Sequence, residues 1–356
     1  MPVKAAPCVA ARVAQAMTEA TEDRYGALPR VGPHTLTGRV LLSPMAGITD
    51  APFRKLARRF GAALAASEMT TADTRLWQTT KSRHRLDIDS DASPRVVQIA
   101  GSEPAQLAMA ARAVVDRGAD IVDINMGCPA KKVCKKLAGS ALLQDEPLVG
   151  RILDAVVAAV EVPVTLKTRI GWDLEHRNIA RVAVMAENAG IQALAVHGRT
   201  RACKYGGHAQ FEDIAAVCDA LSIPVFANGD IDSAARAEAV MAATGASGVM
   251  VGRATQGQPW LLESMVARLA GEPDVAPLPI EKSHAIVRGH LDDLHAFYGE
   301  RKGILMARKH LNWYCRTFGI ADQTRRELLR LNEQDAQREM AFRLFNGAEG
   351  NDSLAA

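Results

Sequence analysis

The chain has 356 residues, 48% of them apolar and only 4% aromatic, with a formal net charge of +3. That length suits a barrel of roughly 250 residues plus a second module, and the scarcity of aromatics favours helices on parallel strands over a β-sandwich. No apolar run nears the ~20 residues of a membrane span, no secretion-signal core is evident, and the six cysteines form no C-x-x-C, all of which argues against membrane insertion, export and a zinc or iron–sulfur centre and leads us to expect a cytoplasmic location.

Residues 1–35 are Ala-rich with several Pro and Gly. They read as a loosely attached, flexible extension, with a short helix across 9–22. From residue 40 an alternation begins. β-branched or apolar runs at 40–44, 64–68, 95–100, 121–126, 164–169, 193–198, 224–230 and 248–253 predict strands. Helical patterns follow at 50–60, 71–80, 104–117, 146–160, 175–189, 211–221, 233–244 and 259–270. Pro104, after Ser102, suits the first turn of a helix, and Gly118, Gly190 and Gly245 stand where helices should stop. Eight strand–helix units predict a (β/α)8 TIM barrel over 36–272. An open doubly wound sheet is the competing architecture, but the chain has no G-x-G-x-x-G and no G-x-x-x-x-G-K-[ST].

After the Pro-rich stretch "GEPDVAPLPIEKS" the strand signal ends, and 280–346 reads as a helical domain, with 347–356 a flexible tail. Between Arg301 and Arg330 there are eight Lys/Arg against two Asp/Glu, which suits either a nucleic-acid-binding surface or an ordinary helical cap whose solvated face is basic. Trp313, Tyr314 and Phe318 lie among those charges and can equally be its core.

Barrel chemistry gathers at the C-terminal strand ends. Here those ends carry Pro44-Met45-Ala46-Gly47, Glu68, Gln98, Asn125 to Cys128, Lys167 and Arg169, His197-Gly198-Arg199, Asn228-Gly229-Asp230 and Gly252-Arg253. Glycine and arginine after strands seven and eight suit a phosphate-bearing cofactor. An inward Lys167 calls for an electron-rich neighbour, and Gln98 can donate and accept in the plane of an amide-like ring; a flavin fits both, and a phosphosugar would also suit the lysine. Cys128 lies between Gly127 and Pro129, with Lys131, Lys132, Lys135 and Lys136 close behind. Local grounds leave it open as nucleophile or general acid, with Cys203 and, more weakly, Cys134 as competing thiols. Four lysines exceed what one thiol needs and suit a polyanion backbone.

The run "DINMGCPAKKVCKKLAGSALL", with "LLSPMAGITDAPFR", "VVQIAGSEP", "VTLKTRIGW", "AVHGRTRA", "VFANGDI", "GVMVGRATQGQPW" and "ARKHLNWY" in the same order, resembles the tRNA-dihydrouridine synthases, most of all their bacterial B-type subgroup. The resemblance spans about 35–345. It implies FMN in the barrel mouth, contacted by Pro44, Met45, Ala46, Gln98, Lys167 and His197, with Asn228, Gly229, Asp230, Gly252 and Arg253 at its phosphate end. It implies reduction of the C5=C6 bond of a tRNA D-loop uridine, hydride passing from flavin N5 to C6 and a proton from Cys128 to C5, with NADPH or NADH as reductant. Asn125 and Arg201 are the implied contacts to the uracil. The partner expected is tRNA, without membrane or metal. The competing activity is an FMN-dependent dehydrogenase of free pyrimidines, which would not need the basic helical domain; a non-catalytic RNA-binding protein is a third reading.

Overall fold

The computed structural model describes residues 25–135 and 137–346. The expected helix over 9–22, Lys136 and the tail lie outside the described residues.

Eight strands form the barrel: β1 Val40–Leu42, β2 Leu64–Ala65, β3 Val96–Ala100, β4 Ile121–Met126, β5 Val164–Arg169, β6 Leu194–His197, β7 Val225–Asn228 and β8 Gly248–Val251. Each pairs in parallel with its neighbours, and β8 pairs with β1 through Val249–Val40 and Val251–Leu42. The second strand completes the ring in two steps. Leu64 and Ala65 pair with β1, and Ala66 then bridges to Val96 of β3. Thr70–Thr71 extends the same run beside Ile99 and Ala100. The fold is a TIM barrel, as the eightfold alternation predicted.

The helices between and after the strands are α1 Ala51–Arg59, α2 Thr80–Arg85, α3 Pro104–Val115, α4 Lys131–Cys134, α5 Glu146–Val157, α6 Ile179–Asn188, α7 Glu212–Ala220, α8 Ala234–Thr244 and α9 Leu261–Leu269. The helix predicted over 71–80 is different in kind. Thr71 belongs to the sheet, 74–78 is a 3-10 turn, and α2 starts only at Thr80. β-branched threonines favour the strand, and Trp77 Nε1 donates to Thr71 O at 2.7 Å, which folds the following turn back under it. α3 opens at Pro104 as expected, but its cap is Glu103 and not Ser102.

Side chains alternate along each strand, so every second residue enters the barrel. At its N-terminal end Leu41, Leu64, Val96, Ile121, Ala195, Phe226 and Met250 make one apolar layer. Gly248 leaves the space Phe226 needs: a Cβ there would lie 2.9 Å from the ring. Residues 30–35, read above as part of the extension, form a hairpin, Arg30–Val31 against His34–Thr35. Val31 is fully buried and joins the same apolar layer with Leu36, so burial ties this end of the extension down. With that end plugged, chemistry is left to the opposite mouth.

Among the described residues, those through Gly252 together with Leu262–Pro273 form one compact unit, and Arg253–Leu261 with those from Asp274 onward form a second. The second unit holds α10 Ile280–Tyr298, α11 Glu300–Thr317, α12 Asp322–Arg330 and α13 Gln334–Leu344. Val287, Leu291, Leu294, Leu311, Tyr314, Leu328 and Phe345 form its core, with Phe318 packed against them. Tyr314 and Phe318 are therefore committed to packing. Two of the basic residues are committed too: Arg308 donates to Leu331 O and Asn332, and Arg325 to Asp322 and Asn312. Arg301, Arg316, Arg326 and Arg330 face solvent.

His290 and His310 meet edge to face inside this core, ring centroids 4.6 Å apart, and His290 Nδ1 lies 2.9 Å from the Tyr314 hydroxyl. Burial pushes His290 down to about 3; burial, with His290 beside it, takes His310 well below its ordinary value. Both are neutral when folded, while the unfolded chain takes up protons below about pH 6.5. Their stabilising contribution is therefore complete above pH 6.5 and is lost as pH falls toward the depressed values. We expect the unfolding free energy of the helical unit, read from its urea midpoint, to drop between pH 7 and pH 5 by on the order of 2 kcal/mol for His290, with His310 acting in the same direction. A midpoint unchanged across that interval would contradict the buried neutral pair.

Candidate active site

The β4 end is built from a chain of side-chain bonds running up the barrel interior. Asp123, Asn125 and, on β5, Thr165, Lys167 and Arg169 sit on alternate positions and so share the inward face. Asp123 is buried and accepts from Thr165 Oγ1 and Gln98 Nε2, each at 2.7 Å. Burial pushes its carboxyl up to about 6, against the pull of those two donors. Gln98 Oε1 accepts from Asn125 Nδ2 at 2.8 Å. Asn125 Oδ1 then receives the backbone N–H of Gly127 at 3.2 Å and of Cys128 at 3.0 Å. The far side of the loop is pinned as well: Ser140 donates to Cys128 O through its hydroxyl at 2.8 Å and its N–H at 3.2 Å. Asp123, Gln98 and Asn125 thus fix the backbone that carries the Cys128 thiol.

Cys128 is half-buried, and burial raises its thiol above the ordinary value of 9.0. Arg169 and Lys167 pull the other way without winning. At neutral pH the group is a thiol, which favours proton donor over thiolate nucleophile, a choice local sequence left open. Of the loop cations, Lys131, Lys132 and Lys135 point to solvent. Cys134 directs its sulfur at Cys128 O and Ser140, and Cys203 takes a 3.0 Å bond from Thr200 Oγ1.

Lys167 pairs in register with Asn125. Its Nζ donates to Asn228 Oδ1 at 3.0 Å, and Asn228 Nδ2 in turn donates to Met250 O at 2.7 Å. Burial, assisted by the charge of Arg169, pulls Lys167 down to about 8. On the neighbouring strands the expected residues Gln98, Lys167 and Asn228 therefore converge on one interior. Pro44, Met45 and Ala46 follow β1 in a turn closed by Met45 and Thr49 and by a 2.6 Å bond from Gly47 N–H to the Glu68 carboxylate. Asp230 accepts from Arg199 Nη2 at 2.7 Å and Ala209 N–H at 2.9 Å, and so serves to hold the β6 and β7 ends together. His197 lies against Gly229: a Cβ on that glycine, whose φ is +119°, would come within 3.0 Å of the ring. Arg253 is exposed, opens a 3-10 turn, and is grouped with the second unit.

Arg169 is a residue the motif reading left without a role. Its Nε donates to Gly127 O at 2.7 Å, and its Nη1 to Thr200 O and Lys204 O at 3.0 Å each. One guanidinium joins the Cys128 loop to the loop after β6. The alternation that turned Lys167 inward was the signal for it, since Arg169 is two positions further on. Asp123 carried the same signal two positions before Asn125.

The dihydrouridine synthase family model matches residues 41–347. A tRNA-dihydrouridine synthase B of Pseudomonas aeruginosa is 53% identical over 322 residues, covering 90% of this chain and 97% of that protein. Another, of Xanthomonas axonopodis pv. citri, is 54% identical over 312 residues, with 86% and 93% covered. The chain belongs to the dihydrouridine synthase family, in its B-type branch.

Proposed function

We propose that the chain is a tRNA-dihydrouridine synthase that reduces the C5=C6 bond of a D-loop uridine, with FMN as its cofactor and NADPH or NADH as its reductant. The observation that carries this reading is a half-buried Cys128, whose burial holds the thiol above its ordinary value, on a loop anchored from within the barrel, next to the strand that bears buried Lys167.

The mouth suits a flavin on its own chemistry. Lys167 is a buried cation whose hydrogen-bond acceptor is a neutral amide, so an electron-rich ring beside it would relieve its desolvation. Gly252 is informative in a different way. A Cβ there would meet only ordinary contacts, 3.5 Å from Ser43 and 3.6 Å from Met45, so the surrounding protein does not demand a glycine. A bare backbone at that strand end leaves room for a phosphate. Pro44, Met45, Ala46, Gln98, Lys167 and His197 would hold the ring, and Asn228, Gly229, Asp230 and Gly252 the phosphate end. When bound, reduced FMN supplies the hydride for C6 of the base. Cys128 gives its proton to C5. Asn125 and Gln98 keep the thiol at a fixed height, and Arg169 keeps its loop from lifting.

A uridine inside folded tRNA must leave its stack to reach this mouth, at a cost of a few kcal/mol. Exposed Lys131, Lys132 and Lys135, which follow Cys128 in the chain, supply phosphate contacts that offset it, as do the exposed arginines of the helical unit. The test is a deletion strain whose tRNA is mapped for dihydrouridine with and without this chain restored. Recovery of the base at defined positions is expected. If the reduced enzyme were instead oxidised by free uracil or orotate and not by unmodified tRNA, the free-pyrimidine reading would replace this one.

A further inference from the structure

The loops after β5 and β6 are bonded to each other above the barrel. Arg201 N–H donates to Gly171 O and Ala202 N–H to Trp172 O, each at 2.9 Å. Gly171 holds φ at +157°, and a Cβ there would lie 2.1 Å from His176 O, so this turn admits only glycine. Trp172 N–H closes it with a 3.1 Å bond to His176 O. The outcome is a stacked pair: the Arg201 guanidinium carbon sits 4.3 Å from the centroid of the Trp172 ring.

Arg201 is unlike the other arginines of the mouth. Arg169 and Arg199 spend their donors on backbone carbonyls and on Asp230. Arg201 Nε is buried and has no hydrogen-bond partner among the described residues. Stacking fixes the plane of a guanidinium but satisfies none of its N–H groups, so the terminal nitrogens, which unlike Nε are not buried, stay ready for an oxygen acceptor.

We propose that Trp172 is a positioning residue: its indole holds Arg201 so that the terminal N–H groups of the guanidinium meet an oxygen of the uridine nucleotide. The proposal rests on the tRNA-reducing reading above and gives a purpose to an aromatic side chain to which that reading assigns none. An indole that only filled space would be replaceable by any apolar group and would not be coupled to Arg201.

The experiment measures kcat and KM for unmodified tRNA in the FMN-loaded chain and in Trp172→Phe, Trp172→Leu, Arg201→Ala and the Trp172→Leu/Arg201→Ala double variant. Trp172→Leu should raise KM roughly 3- to 30-fold, the range of one partly buried cation–π contact, with a smaller change in kcat. Trp172→Phe, which keeps an aromatic face, should recover most of the loss. The double variant should be no worse than Arg201→Ala alone, because both substitutions remove one device. A KM for Trp172→Leu within twofold of the parent, or additive losses in the double variant, would overturn the proposal. Should Trp172→Leu not fold, the same coupling is read from Trp172→Phe combined with Arg201→Lys. A parent chain that forms no dihydrouridine would instead remove the underlying reading.

Discussion

Cys128→Ala is expected to lower dihydrouridine formation by about 10²- to 10⁴-fold, the usual contribution of a positioned general acid, while the purified chain stays yellow with bound flavin. The carbon that receives the proton cannot take it from a thiolate. Burial holds the Cys128 thiol above its ordinary value, so the proton is in place at neutral pH. The neighbouring sulfurs are differently engaged: Cys134 faces Cys128 O and Ser140, and Cys203 is bonded to Thr200. The sign of the pH dependence follows. A donor with a raised value stays competent as pH rises, so kcat/KM should not lose its donor between pH 7 and 9 and should fall only above 9. Rates measured across pH at tRNA concentrations well below KM would check both statements. An alanine variant retaining more than a tenth of the parent rate, or a rate lost in step with a group titrating near 7, would mean that another residue supplies the proton.

The same site shows what a linear sequence exposes and what it hides. Lys167, Gln98 and Asn228 were legible because strand ends are recognisable from β-branched runs and because a barrel sends its chemistry to one mouth. Cys128 was legible from its place between Gly127 and Pro129 and from the surrounding motif. Its protonation state was not, because the sequence shows four neighbouring lysines while burial within the fold sets the thiol. The cations that pull on it, Arg169 and Lys167, come from 41 and 39 positions away in the chain. Asn125 illustrates a second limit. Its residue type suits a uracil, yet its Oδ1 receives two backbone N–H groups of its own loop and its Nδ2 reaches Gln98. Hydrogen-bond commitments of that kind depend on which strands become neighbours. The pairing of Trp172 with Arg201 is hidden for the same reason, since it joins two loops that are adjacent only once β5 and β6 lie side by side. The helix expected over 71–80 fails on local grounds: β-branched Thr71 pairs in the sheet, and Trp77 turns back onto it.

Lys167→Met is expected to move stability and activity in opposite directions. Methionine keeps the length of the side chain and removes its charge. In the cofactor-free protein the ammonium is buried and held down to about 8, against 10.5 for an ordinary lysine. The unfolded chain therefore binds a proton between those values that the folded chain does not, so stability rises as pH climbs from about 8 to 10.5, and below pH 8 the full cost of the buried charge is present. That cost is on the order of 3 kcal/mol, part of it offset in the variant by the loss of the bond to Asn228 Oδ1. Cofactor-free Lys167→Met should consequently unfold at a higher temperature than the parent at pH 7, and the difference should shrink by pH 10. Activity should go the other way. A fixed cation beside a ring that gains negative charge on reduction is worth about 10²- to 10³-fold in rate, so the variant should bind flavin more weakly and form dihydrouridine correspondingly slowly. Calorimetry of the cofactor-free chains and flavin titration of the same samples separate the two effects. A variant that is both less stable and undiminished in flavin affinity would show that Lys167 is held in place by the protein for packing, and that the electron-rich neighbour its burial calls for lies elsewhere.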